Sequence, residues 1–171
     1  SRRLAPRSVV GVDLSAGMLE VARRRLAEQP EEVRRRITFE QGDSLHLRFA
    51  DASFDAVTVA YGVRNFEHLE EGLREMSRVL RPGGTLCVVE LSVPRNPLVR
   101  AGYNLYAKGI IPMVGRMVSG DSRAYTYLPE SIARTPQRGE MTALMTRAGL
   151  SDASWRSLTL GVVTIYTATK R

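Results

Sequence analysis

Short apolar runs alternate with amphipathic stretches along the first part of the chain. Residues 8–13 are apolar, β-branched and too few for a helix, which predicts a buried strand. Ser15 then offers a helix N-cap, and apolar residues recur at helical spacing from Met18 to Leu26, until Pro30 ends the run. The pattern therefore predicts a strand followed directly by a helix.

The same alternation continues through the next 50 or so residues. Three further strands are predicted, over residues 36–43, 54–62 and 85–91. The strand at 54–62 has the near-continuous apolar centre that is typical of parallel sheets covered on both faces. An apolar stripe from Leu69 to Leu80 predicts a helix, and a proline with paired glycines at 81–84 should end it and turn the chain. Strands alternating with helices favour right-handed crossovers and a mainly parallel sheet.

The pattern changes after Pro94. Residues 94–120 are apolar and aromatic but are interrupted by prolines and glycines, so we expect short helices that form a cover, and we assign residues 94–133 to a helical lid. One more helix is predicted over 136–148. Residues 152–170 then predict two strands with a bend near Gly161, most simply an antiparallel pair. The fold class is α/β, with residues 1–171 as a single domain.

Composition limits the class of protein. The chain has 171 residues, of which 43% are hydrophobic and 25% charged, values that are ordinary for one globular domain. Apolar runs fall short of the ~18–20 residues that a membrane span needs, and the first residues lack the apolar core of a signal peptide. A single cysteine, Cys87, argues against a disulfide framework. We expect a cytoplasmic protein, and no cluster has the spacing of a metal site.

The formal net charge of +7 comes nearly all from arginine. It suggests either an anionic partner, such as nucleic acid or an anionic membrane, or a solvated surface. The arginine runs 23–25 and 34–36 lack interleaved aromatic residues, so we expect no nucleic acid as partner and favour the solvated surface. Weak peripheral attraction to an anionic membrane at its inner face stays open.

Polar groups follow three predicted strands, at Asp13, at Asp43 and over residues 61–65. In open α/β sheets ligands lie beyond the carboxyl ends of the strands. A carboxylate such as Asp13 suits two ribose hydroxyl donors, and Asp43 suits an exocyclic amine, with Met18 and Leu45 enclosing a flat adenine. A helix cap is the alternative role for Asp13.

Taken together, these segments resemble a known family. The stretches GVDLSAGML, GDSLHLRFADASFDAVTVAYGVRN and REMSRVLRPGGTLCVVE are similar, in this order, to class I S-adenosylmethionine-dependent methyltransferases. The narrower motifs YGVRNFEHLEEGLREMSRVLRPGG, SVPRNPLVRAGYNLY, AYTYLPESI and LTLGVVTIY resemble the ubiquinone/menaquinone biosynthesis C-methyltransferases, and the resemblance covers residues 8–168. It implies a Rossmann-like, mainly parallel sheet with a C-terminal antiparallel pair, S-adenosylmethionine as cofactor, and C-methylation of a prenylated naphthoquinol or benzoquinol.

The resemblance also implies roles for individual residues. Asp13 would bind the cofactor ribose, Asp43 and Ser44 the adenine, and Ala60 with Tyr61 the methionine portion. The full cofactor set is Asp13, Leu14, Met18, Asp43, Ser44, Leu45, Ala60 and Tyr61.

The resemblance places a second set of residues toward the quinol: Tyr61, Arg64, Asn65, Tyr125 and Tyr127. Arg64 would be a fixed cation that eases ionisation of the hydroxyl ortho to the methylated carbon, and Asn65 would donate a hydrogen bond to it. A surface ion pair with Glu67 is the alternative for Arg64. Packing within the lid is the alternative for both lid tyrosines.

One departure concerns the segment before Asp13. Folds of this kind carry a glycine-rich loop about 20 residues before the ribose acid, and only twelve residues precede Asp13 here. We expect the chain to lack the first strand of the sheet, to belong to a longer protein, and to bind S-adenosylmethionine poorly on its own. Two alternative functions stay open, namely methylation of another small aromatic or lipid acceptor and a non-catalytic binding module. A homodimer is a candidate assembly.

Overall fold

The computed structural model describes residues 6–105 and 123–171. The chain divides into two compact units, Ser1–Phe49 and Ala50–Arg171. The first unit contains β1 (Val9–Asp13), α1 (Ala16–Ala27), α2 (Glu31–Arg34) and β2 (Ile37–Gln41). The second contains β3 (Phe54–Ala60), α3 (Leu69–Val79), β4 (Leu80–Leu91), α4 (Pro97–Leu105), α5 (Arg123–Arg134), α6 (Gly139–Arg147), β5 (Leu150–Leu158) and β6 (Val163–Lys170).

The first unit is built on a parallel strand pair. β1 and β2 pair in register from Val9 opposite Ile37 to Asp13 opposite Gln41. Gly11 leaves room for the ring of Phe39 on β2, because a Cβ there would lie 2.7 Å from that ring. The strand and the helix predicted for the start of the chain are confirmed.

Helix α2 was not anticipated from the sequence. Pro30 stands at its N-cap position, and two glutamates follow in its first turn, where negative charge interacts favourably with the helix dipole. The proline that ends α1 therefore also begins a new helical turn.

The second unit is built on a four-stranded sheet with the order β3-β4-β6-β5. β3 and β4 are parallel, whereas β4 with β6 and β6 with β5 are antiparallel. The predicted α/β class and the C-terminal antiparallel pair are confirmed. Gly161, at φ +92°, lies in the short 3-10 turn between β5 and β6, at the predicted bend.

The proline-glycine stretch after α3 differs from its prediction. Instead of forming a turn ahead of the strand, it forms an irregularity inside β4, where the pairing jumps from Phe54–Leu80 to Ala56–Thr85. Gly83 has a φ of +79°, and a Cβ on Gly84 would lie 2.8 Å from the carbonyl oxygen of Arg81. The strand can take up the extra residues only because these two positions are glycine.

The core of the second unit lies between the sheet and the helices α3 and α6. Its buried side chains are apolar and come from all of these elements: Leu73, Met76, Leu80, Leu86, Val88, Met141, Met145, Leu150, Tyr166 and Ala168. This core fixes β4, and thus the residues at the carboxyl end of β4.

The predicted lid contains two helices in its described part, α4 and α5. Residues 106–122 of that segment lie outside the described residues. Tyr125 falls within α5, and its side chain also lies outside them. In 6–105 and 123–171, no helix has the length and apolar composition that crossing a bilayer requires.

Candidate functional site

Asp13 ends β1 and directs its carboxylate toward the start of α1. Its Oδ1 accepts a hydrogen bond from the backbone N–H of Ser15 at 2.7 Å. Ser15 caps the helix in turn, because its Oγ accepts from the N–H of Met18 at 3.3 Å. Asp13 thus shapes the strand-to-helix turn through one oxygen, and its side chain remains exposed.

Asp43 lies beside Asp13 because the two strands run in parallel. The backbone N–H of Gly42 donates to the carbonyl oxygen of Asp13 at 3.1 Å, so the two strand ends are joined. Asp43 Oδ1 accepts from the N–H of Leu45 at 2.9 Å, and its Oδ2 lies 3.6 Å from His46 Nδ1. Asp13 and Asp43 therefore lie at adjacent strand ends of the first unit.

Apolar side chains surround these acids without being buried. Leu14 is 68% exposed and Met18 is 60% exposed, although both are large and apolar. Ser44 and Leu45 are half-buried. The first unit therefore presents two carboxylates beside uncovered apolar surface, a combination that suits a nucleoside with its polar sugar and flat base.

In the second unit, Ala60 ends β3 and Tyr61 follows in the left-handed backbone region at φ +57°. The N–H of Tyr61 donates to the carbonyl oxygen of Val89 at 2.8 Å, which continues the pairing of β3 with β4 by one residue. A left-handed conformation costs a residue with a side chain about 1 kcal/mol or more and persists only where neighbouring structure holds it.

Arg64 holds Tyr61 from the other side. The residue lies in the 3-10 turn Val63–Asn65, and its Nη1 donates to the carbonyl oxygen of Tyr61 and, at 2.9 Å, to Glu90 Oε1. The backbone N–H of Arg64 donates to Glu90 Oε2 at 3.2 Å. The Arg64 side chain is 15% exposed and that of Glu90 is 2% exposed, so the ion pair is largely withdrawn from water.

Two points of the sequence-based interpretation change here. The alternative of a surface ion pair between Arg64 and Glu67 is wrong, because Arg64 turns inward to Glu90. Glu90 itself was not singled out. The pattern that marks Asp13 also marks Glu90, since both acids end an apolar run, and that pattern would have identified it.

Asn65 contacts the lid. Its Oδ1 accepts a hydrogen bond from the hydroxyl of Tyr127, on α5, at 3.1 Å. Beside this contact lies a cavity of about 160 Å³ between the 3-10 turn and α5, whose lining includes Arg64, Phe66, Leu69 and Tyr127. The structure thus brings Arg64, Asn65 and Tyr127 of the predicted quinol set to one place in the second unit.

A buried tyrosine, Tyr166, lies opposite Val88 of β4 in the antiparallel register. Tyr166, on β6, accepts a hydrogen bond from the backbone N–H of Arg138 at 2.8 Å. Burial raises the pKa of the Tyr166 phenol, and the nearby carboxylate of Glu90 adds to that rise. Among the described residues, no group of three or more His, Cys, Asp or Glu side chains is arranged to hold a metal ion.

Comparison with solved structures shows the fold. The chain superposes on an S-adenosylmethionine-dependent methyltransferase from Thermotoga maritima with a TM-score of 0.63 and 19% identity, covering 95% of this chain and 72% of that one. It also superposes on phosphoethanolamine N-methyltransferase 2 of Haemonchus contortus, in complex with S-adenosyl-L-methionine. The TM-score is 0.66 and the identity 15%, and the superposition covers 95% of this chain and 43% of that one.

Comparison of sequences is more specific. A demethylmenaquinone methyltransferase from Porphyromonas gingivalis is 50% identical over 96% of this chain and 66% of its own length. A ubiquinone/menaquinone biosynthesis C-methyltransferase UbiE from Hahella chejuensis is 41% identical over 99% of this chain and 68% of its own. The chain thus spans about two thirds of the length of these curated relatives. The family described as the ubiE/COQ5 methyltransferase family matches residues 3–170, and the chain belongs to that family.

Proposed function

We propose that the protein to which this chain belongs uses S-adenosylmethionine to methylate a ring carbon of a prenylated quinol. Membership of the ubiE/COQ5 family and the names of relatives that are 50% and 41% identical support this reaction. The single observation that carries the proposal is a cavity after β3 that is lined by Arg64 and Tyr127, with Asn65 hydrogen-bonded to the Tyr127 hydroxyl.

The first unit fits the cofactor. Asp13 keeps an exposed carboxylate beside a helix N-terminus while only its Oδ1 is used for the Ser15 turn, so acceptor capacity remains for ribose hydroxyls. Leu14 and Met18 leave apolar surface uncovered for the adenine, and Asp43 lies at the neighbouring strand end. When bound, S-adenosylmethionine supplies an electrophilic methyl group on a sulfonium.

The second unit fits the acceptor. A ring carbon becomes nucleophilic when the adjacent hydroxyl loses its proton, and ionising a phenol with a pKa near ~10 at pH 7 costs about 4 kcal/mol. Arg64 lowers this cost by donating to the developing oxyanion. Its Nε is buried and has no hydrogen-bond partner within the described part of the chain, so this N–H is a donor that no described protein group uses.

Glu90 changes how Arg64 acts. Because the carboxylate of Glu90 compensates its charge, Arg64 acts as an oriented ion pair rather than as an isolated cation. Directed N–H groups and the dipole of the pair then stabilise the oxyanion, which makes the orientation of the guanidinium decisive. Asn65, fixed by the hydroxyl of Tyr127, adds an amide beside it.

Helix α4 supports a peripheral contact with the membrane in which such a quinol is dissolved. Leu98, at 83% exposure, and Leu105 lie seven residues apart on one face of the helix, with exposed Arg100 nearby. Amphipathic helices with basic residues insert their apolar face into anionic bilayers. Flotation of the full-length protein with anionic liposomes should be reduced by the double substitution Leu98→Asp and Leu105→Asp, and equal flotation would reject the contact.

The reaction itself is tested with the full-length protein. It should transfer the methyl group from labelled S-adenosylmethionine to demethylmenaquinol or to the corresponding demethylated benzoquinol, with the label recovered on ring carbon. Labelling of neither quinol would reject the proposed function.

A further inference from the structure

The carboxylate of Glu90 touches Arg64 at two separate points. Oε1 accepts from the guanidinium Nη1 at 2.9 Å, and Oε2 accepts from the backbone N–H at 3.2 Å. The first contact holds the guanidinium at the end of the Arg64 side chain, and the second holds the Arg64 backbone. Arg64 therefore has little freedom to rotate.

The position of Glu90 is rigid. It lies at the carboxyl end of β4, opposite Thr164 of β6 in the antiparallel register. Its Oε1 also accepts from the N–H of Leu91 at 2.9 Å, which folds the carboxylate back along its own strand. With 2% of its side chain exposed, Glu90 has almost no contact with solvent.

The same pair holds the backbone of Tyr61. The left-handed peptide of Tyr61 is bonded at its N–H to Val89 and at its carbonyl oxygen to Arg64. The N–H bond connects Tyr61 directly to β4. The carbonyl bond connects it to Arg64, which in turn binds Glu90 of β4. The loop that carries the predicted methionine-side and quinol-side residues is thus tied to β4, an inner strand of its sheet.

From this geometry we infer that Glu90 is a positioning residue, which orients the Arg64 guanidinium and, through it, holds the strained Tyr61 peptide for the methyl-transfer reaction. The rate measurements for this inference rest on the proposed function. Measurements of stability on the same variants do not, so the two can fail separately.

The first test replaces Glu90 in the full-length protein. Glu90→Gln keeps the shape but removes the charge, and we expect kcat to fall about 10²-fold, the size of effect that a misplaced catalytic group produces. The KM for the quinol and the affinity for S-adenosylmethionine should stay close to those of the unaltered protein. Glu67→Gln, which changes an exposed glutamate three residues from Arg64, is the matched control and should retain full activity.

The second test asks whether Glu90 acts through Arg64. If it does, the double variant Arg64→Gln with Glu90→Gln should have the same kcat as Arg64→Gln alone, because the group that Glu90 positions is already gone. Losses that multiply across the two substitutions would overturn the inference, as would full kcat in Glu90→Gln.

The third test needs no turnover. Glu90→Gln leaves the Arg64 cation buried without its counter-charge, so it should unfold at lower urea concentration than the double variant, in which no buried charge remains. If Glu90→Gln does not fold at all while the double variant does, the ion pair is equally supported. A double variant that is no more stable than Glu90→Gln would overturn it, whatever the rate assays give.

Discussion

The hydroxyl of Tyr127 donates to the side-chain oxygen of Asn65 at 3.1 Å, which ties the lid helix α5 to the loop that follows β3. The sequence predicts that Asn65 and Tyr127 both face the quinol, and it does not predict a contact between them. Because the bond fixes which end of the Asn65 amide points toward Tyr127, it leaves the NH₂ group to face elsewhere. The lid helix therefore sets the orientation of a donor in the second unit.

Tyr127→Phe should lower methyl transfer by the full-length protein about 2- to 10-fold, the effect of losing one ordinary hydrogen bond. The reason is that the Asn65 amide becomes free to rotate. The measurement is kcat/KM for the quinol. In an Asn65→Ala background the same tyrosine substitution should have no effect, and a further drop there would show that Tyr127 acts in another way.

Asp13→Asn should weaken S-adenosylmethionine binding by the full-length protein roughly 10- to 100-fold, since hydrogen bonds to a charged acceptor are lost. The asparagine oxygen can still accept from Ser15, so thermal stability should hold. Isothermal titration calorimetry gives the affinity.

The neighbouring cap residue provides the contrast to Asp13→Asn. Ser15→Ala removes the cap bond to Met18 and should cost about 1 kcal/mol of stability while leaving the affinity unchanged. If Asp13→Asn instead lowered stability and kept the affinity, Asp13 would be only a structural cap.

Arg64→Lys should leave cofactor binding intact and reduce turnover about 10²-fold or more, the scale of removing one preorganised donor. Arg64 reaches both Tyr61 and Glu90 with its Nη1, whereas a lysine ammonium is a point charge on a different side chain and lacks the planar guanidinium that fixes this geometry. Steady-state kinetics with the quinol checks this, and turnover equal to that of the unaltered protein would reject the role of Arg64.

Gly11→Ala should destabilise the first unit by about 1–3 kcal/mol, because the new methyl group would lie 2.7 Å from the ring of Phe39. Gly17→Ala is the matched control. It lies in α1 with only Ser15 Oγ near its new Cβ, at 3.8 Å, and should stabilise by about 0.5–1 kcal/mol. Chemical denaturation of both variants measures the difference, and the same sign for both would contradict the close packing of the Phe39 ring over Gly11.

Tyr166 should make stability fall at alkaline pH. Its pKa is raised by burial, so the folded protein keeps the phenol proton where the unfolded chain, with a pKa near ~10, releases it. The stability that this proton contributes is complete below about pH 10 and is lost as the pH rises toward the folded-state pKa.

Tyr166→Phe removes this dependence together with the bond from Arg138. The deficit of the variant relative to the unaltered protein should therefore shrink above about pH 10, which urea unfolding from pH 8 to 11 would show. Burial also raises the pKa of Tyr103, so Tyr103→Phe should behave in the same way. A deficit that stays constant with pH would contradict the shift.

Local patterns predicted most of the elements. The run at residues 8–13 and the cap at Ser15 lie where the sequence placed them, because both depend on neighbours within a few positions. At Arg81–Gly84 the sequence predicts a turn ahead of the strand, and the structure has an irregularity inside it. Proline and glycine favour either outcome, and only the pairing with β3 selects one. The proline pattern predicts only the end of α1, whereas Pro30 also stands at the start of α2.

The sequence by itself determined most of the succession of strands and helices, the acids at the strand ends and the family to which the chain belongs, since each depends on the order and spacing of residues. Tertiary structure decided the partner of Arg64. Glu67 lies three positions after Arg64 in the sequence, and Glu90 lies twenty-six positions after it. The parallel pairing of β3 with β4 nevertheless brings Glu90 to the Arg64 guanidinium. Contacts of this kind depend on which strands lie side by side, and sequence distance carries no information about them.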